Sequence, residues 1–132
     1  MPHLAFDYSR GLEEKIEMSA FCEVLRAALV RTGLFPVGGI RVRGHGADCA
    51  TVADGAPGRL FVDMGLRIAK GRSEAARKDA VETVYAAAES WLKARLGDTP
   101  VAVSLELREI DPEFREQRYN TIHADLAARE TG

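Results

Sequence analysis

The sequence predicts an α+β fold, two consecutive β-α-β units sharing one four-stranded mixed sheet with both helices on one face. Three observations carry this. Stretches with apolar residues at every second position alternate with stretches repeating at i, i+3 and i+4, in the order strand, helix, strand. The whole pattern then restarts near Arg59, after a connection rich in glycine, alanine and aspartate. A helix between two strands implies a right-handed parallel crossover, and two such units side by side give a mixed sheet.

The elements follow in order. Pro2 to Tyr8 reads as a strand, with Leu4, Phe6 and Tyr8 on one face and His3, Ala5 and Asp7 on the other. Ser9 to Glu17 is polar and reads as a loop. Phe21, Val24, Leu25, Ala28 and Leu29 then keep helical spacing, so a helix is expected from about Met18 to Arg31, with Gly33 as its stop. A strand is expected near Gly39 to His45. Ile40 and Val42 face one way, and Arg41, Arg43 and His45 the other.

Gly46 to Gly58 is the internal boundary. Leu60, Val62, Met64, Leu66 and Ile68 alternate with Phe61, Asp63, Gly65 and Arg67 in a long strand. Gly71-Arg72 turns the chain and Ser73 suits a helix N-cap. Val81, Val84, Tyr85, Ala88, Leu92 and Leu96 mark the second helix, ended by Gly97. Val101, Val103, Leu105 and Leu107 alternate with polar or small residues in a fourth strand. The chain is read as a single domain with pseudo-repeats at about 2–45 and 59–110 and a polar tail at 111–132, part of it a short helix that packs on something other than the core.

Composition narrows the function. The formal net charge is −2 with no long basic run, which argues against nucleic-acid and membrane partners. Cys22 and Cys49 form neither a disulfide framework nor a metal-ligand spacing. Asp7 and Arg10 arrive too early for a signal peptide and no apolar run has the length of a membrane span, so a cytoplasmic location is expected. The Gly38-Gly39 pair lacks phosphate-loop spacing. Neither metal nor cofactor is expected. The polar sheet face carries His3, Asp7, Arg41, Arg43, His45, Asp63, Arg67, Ser104, Glu106 and Arg108. It is wet in a monomer, or lines a central channel in a ring of subunits.

Several short motifs occur together in order: Met-Pro-His at the start, Thr32-Gly33-Leu34-Phe35-Pro36-Val37-Gly38-Gly39-Ile40-Arg41, Gly71-Arg72-Ser73, and Asn120 with His123 in the tail. This set resembles the 5-carboxymethyl-2-hydroxymuconate Δ-isomerase family of the tautomerase superfamily, over nearly the whole chain. The resemblance implies the doubled β-α-β fold, a homotrimer whose three sheets surround a channel, and a small polycarboxylate substrate. It also implies a reaction in homoprotocatechuate breakdown, in which a dienol becomes a conjugated ketone as a proton moves from the 2-hydroxyl to carbon 5.

By the same resemblance, Pro2 is the base once Met1 is removed, and Arg41 and Arg72 are the catalytic and substrate-binding arginines. Arg43 and His45 share the strand face of Arg41 and are further substrate-binding candidates. The chemistry is coherent. A prolyl amine must be neutral near pH 7 to accept a proton, and burial and neighbouring cations both disfavour its ammonium form. Guanidinium groups also grip carboxylates in a planar fork and stabilise charge developing on the 2-oxygen. Two other readings share these residues: a tautomerase of other small 2-oxo acids, and a non-catalytic module holding an anion on its arginine face.

Overall fold

The computed structural model describes residues 1–131. Its strands are β1 (His3–Tyr8), β2 (Arg41–Gly46), β3 (Leu60–Ala69) and β4 (Val101–Ile110), and its helices α1 (Met18–Arg31), α2 (Glu74–Leu96) and α3 (Ile122–Thr131). Short 3-10 turns lie at Leu12–Glu14, Val37–Gly39 and Pro112–Phe114. The sheet order is β2-β1-β3-β4. β1 runs parallel to β2 and antiparallel to β3, and β3 runs parallel to β4. This is the mixed sheet of two β-α-β units expected from the sequence.

Local chemistry sets the helix ends. The Glu17 carboxylate accepts from the Ser19 and Ala20 amides at 3.2 and 2.7 Å and starts α1. The Ser73 hydroxyl accepts from the Ala76 amide at 3.1 Å and starts α2. Both helices cover one sheet face. There Leu4, Phe6, Val62, Met64, Leu66 and Ile68 meet Phe21, Leu25, Leu29, Val84, Ala88 and Leu92 in one buried cluster. Aromatic rings run through it, with Phe6 to Phe21 at 5.1 Å and Phe21 to Trp91 at 5.5 Å between centroids.

Four details differ from the sequence reading. Ser9 to Glu17 is more than a polar loop. Leu12 and Ile16 drop into the core, and Ser9 prolongs the β1–β3 ladder, its hydroxyl accepting from the Phe61 amide at 2.9 Å. Two apolar residues among polar ones give no periodic run to read. On α2 the buried stripe is Ala80, Val84, Ala88, Leu92 and Leu96, with Val81 only half-buried beside it. The second strand starts at Arg41, because Val37–Gly39 winds into a 3-10 turn. Val103, Leu105 and Leu107 of β4 are half-buried and Val101 is exposed, as befits an edge strand. The tail forms a short helix, α3, which docks on the Val37–Gly39 turn through His123 against Gly38. Among the described residues no helix is long and apolar enough to cross a membrane.

The glycines of β2 answer to packing. Gly44 and Gly46 stand opposite Phe6 and Tyr8 in register, and a methyl group on Gly44 would overlap the Phe6 ring. Gly44→Val is therefore expected to destabilise the fold by about 1–3 kcal/mol, read as a fall in denaturation midpoint. An unchanged midpoint would show that the Phe6 ring gives way freely.

Candidate active site

The site is built around the chain start. Parallel pairing sets His3 beside Arg41, and the Arg41 amide donates to the Pro2 carbonyl at 3.1 Å. Pro2 is buried and Met1 half-buried. The Val37–Gly39 turn forms one wall, closed by amide-to-carbonyl bonds from Gly39 to Pro36 (3.0 Å) and Ile40 to Val37 (3.1 Å). The chain start lies against this turn at Gly39. A methyl group there would stand 3.4 Å from Met1 Cα.

Three arginines converge here. Arg41 curls back from β2, its Nη1 donating to the Gly39 carbonyl at 2.8 Å. Arg72 follows Gly71, whose φ of +121° permits the sharp turn after β3. Its guanidinium donates to the Ala69 and Leu34 carbonyls at 3.2 and 2.9 Å and lies 4.8 Å from the Phe35 ring centroid. Arg115 arrives from the tail, its Nη2 at 2.9 Å from Met1 Sδ and 3.1 Å from Gln117 Oε1. Burial first, then the charges of Arg72, Arg115 and Arg41, push the Met1 ammonium below its ordinary pKa. The arrangement thus favours a neutral, proton-accepting nitrogen beside cations able to hold an anion.

Not every candidate gathers at this point. Arg43 and His45 are exposed on the polar sheet face. His45 pairs with Asp7, four residues beyond Arg41, which at ~3.3 Å per residue is about 13 Å along the strand. Arg43 lines a depression of about 260 Å³ with His3, Asp63, Arg67, Glu106 and Arg108. There the His3 pKa is held below its ordinary value by burial, then by Arg67, Arg43, Arg41 and Arg115. Its Nδ1 is buried without a hydrogen-bond partner among the described residues. A larger depression, about 500 Å³, lies between Arg10 and the residue 47–59 connection, beyond the far end of β1. Asn120 caps α3, its side-chain oxygen accepting from the Ile122 amide at 2.9 Å.

Arg115 escaped the sequence reading. The available signals were Asp111-Pro112, which opens a 3-10 turn, and Asn120, an N-cap. Together they show that the tail is structured on both sides of the arginine.

The fold recurs in solved structures of low sequence identity. The chain superposes on the Q0 fused 4-OT wild type symmetric trimer with a TM-score of 0.68, over 89% of this chain and 93% of that one, at 16% identity, a likeness of fold alone. Closer relationships are narrower. Residues 2–126 match the family model described as 5-carboxymethyl-2-hydroxymuconate isomerase. The 5-carboxymethyl-2-hydroxymuconate Delta-isomerase of Escherichia coli is 31% identical over 124 residues, 94% of this chain and 98% of that protein. A crystal structure of a 5-carboxymethyl-2-hydroxymuconate delta-isomerase superposes with a TM-score of 0.86 at 30% identity, over 96% of this chain and 93% of that one. The chain belongs to the 5-carboxymethyl-2-hydroxymuconate isomerase family and is an isomerase.

Proposed function

We propose that this isomerase converts 5-carboxymethyl-2-hydroxymuconate from its dienol to the conjugated ketone, with the amino-terminal nitrogen of processed Pro2 as the base. Family membership supports the substrate. The observation that carries the mechanism is the half-buried chain start among Arg41, Arg72 and Arg115, where every influence on the Met1 amine opposes its protonation. With Met1 removed, the amine becomes that of Pro2, whose own carbonyl is tied to the Arg41 amide.

The step balances without oxidant or cofactor. Pro2 takes the 2-hydroxyl proton, and the electron pair shifts to form the 2-carbonyl and a double bond between carbons 3 and 4. The proton is then returned to carbon 5. Arg41 and Arg72 hold carboxylates and offset the charge that grows on the 2-oxygen. Arg43 and His45, on the open sheet face, stand apart from the reacting atoms of the same chain. The working molecule is a cytoplasmic homotrimer acting in homoprotocatechuate degradation. The exposed Phe114 and Tyr119 favour burial against neighbouring copies.

The test compares two preparations whose intact masses show Met1 removed or retained. The first is expected to convert the dienol, followed by ultraviolet absorbance. The second is expected to be inactive, because its Pro2 nitrogen is a tertiary amide with no lone pair to give. Equal turnover by both would end the assignment of the base. Faster turnover of phenylpyruvate enol than of the muconate would move the substrate to other 2-oxo acids.

A further inference from the structure

We infer that Arg115 is a third carboxylate-binding group of this site and reads the carboxymethyl arm of the substrate. The inference deepens the proposed function and rests on it for the identity of the ligand.

Arg41 and Arg72 are anchored by backbone carbonyls, Arg41 by Gly39 and Arg72 by Ala69 and Leu34. Arg115 is held differently. Its contacts are the Gln117 amide oxygen at 3.1 Å and the Met1 sulfur at 2.9 Å. A thioether is a weak acceptor and a poor match for a guanidinium. Met1 lies on Gly39 with its side chain against Arg115. When Met1 leaves, that donor faces the space the side chain filled, beside the newly exposed Pro2 nitrogen. An anion placed there would meet a half-buried cation.

The tail is fixed on either side of Arg115. Asp111 caps the turn before it, its carboxylate accepting from the Glu113 amide at 3.0 Å. Asn120 caps α3 after it, and α3 docks His123 on Gly38, next to the glycine that touches Met1. The guanidinium is therefore presented by an anchored segment.

The chemistry of the ligand matches in number. A muconate backbone carries two carboxylates and the carboxymethyl arm a third. Arg41, Arg72 and Arg115 supply three guanidinium groups, each able to form a planar fork. The third arginine thus distinguishes a branched tricarboxylate from an unbranched dicarboxylate.

The experiment uses Pro2-starting protein, its mass verified, as wild type, Arg115→Ala, Arg115→Gln and Arg115→Lys. Turnover is compared on 5-carboxymethyl-2-hydroxymuconate and on 2-hydroxymuconate, which lacks the arm. Arg115→Ala is expected to cut the preference for the branched substrate, as a ratio of kcat/KM values, by about 10–100-fold, mostly through KM. Arg115→Lys should recover part of it. Equal losses on both substrates, or no loss, would overturn the inference. Should Arg115→Ala fold poorly, Arg115→Gln carries the same comparison.

A binding arm separates this inference from the proposed function. Calorimetry with tricarballylate and glutarate should show a tricarboxylate preference that Arg115→Ala diminishes. An unchanged preference refutes the role of Arg115 whether or not the muconate is turned over. Absence of muconate turnover by wild type refutes the proposed function alone.

Discussion

Pro2→Ala is expected to lower kcat on the dienol by about 100-fold, near the lower end of what a positioned general base contributes. Alanine also permits removal of Met1, so an amine remains at the same place in the chain. What is lost is geometry and basicity. The buried pyrrolidine ring fixes the nitrogen against β1, and the Pro2 carbonyl is held by the Arg41 amide at 3.1 Å. A primary amine on alanine rotates more freely and is intrinsically less basic. Acetylating the amino terminus of the processed protein removes the lone pair outright and should give the larger loss, up to about 10⁴-fold. Circular dichroism and sedimentation should match wild type, both at three chain masses, since Pro2 precedes β1 and belongs to no helix or strand. Full turnover by Pro2→Ala and by the acetylated protein would refute the base. A single chain mass would remove the trimer.

Much of the fold was legible because its signals are local. Phe21, Leu25, Ala28 and Leu29 keep helical spacing, and α1 begins and ends where those residues and Gly33 place it. Alternation in β3 likewise assigned faces residue by residue. Pairing was legible only as topology. Nothing in the sequence sets His3 beside Arg41, and the glycines at 44 and 46 make sense only once the rings of Phe6 and Tyr8 lie across them. The site shows the same division. Alternation put Arg41, Arg43 and His45 on one face but gave no position along it, and the strand carries His45 well away from the chain start. Arg72 lay in a turn, where sequence gives position without direction. Its contacts to Leu34 and Phe35 draw it to the site. Arg115 was hidden most deeply, because its partner Met1 stands at the other end of the chain.

Arg72→Ala is expected to reduce kcat/KM at pH 7 by about 100-fold, through two effects that the pH profile separates. The first is lost binding. A charge-assisted contact to a carboxylate is worth about 1.5–3 kcal/mol, or roughly 10–150-fold, and it appears in KM. The second acts on the amine. After burial, Arg72 is the largest influence lowering the pKa of the Met1 ammonium, and the Pro2 amine that takes its place is expected to feel the same charge. Removing its charge lets that pKa rise. In the proposed mechanism the free amine is the active form, so a higher pKa leaves less of it at neutral pH. The acid limb of kcat/KM then moves to higher pH, and activity recovers as pH is raised through the new value. Arg72→Lys isolates the two effects. A lysine keeps a positive charge but has no planar fork and stacks less well on Phe35. Its acid limb should stay near that of wild type while its KM rises. If Arg72→Ala showed a raised KM with an unmoved acid limb, Arg72 would be a binding group only, and the amine would owe its neutrality to burial and the other arginines.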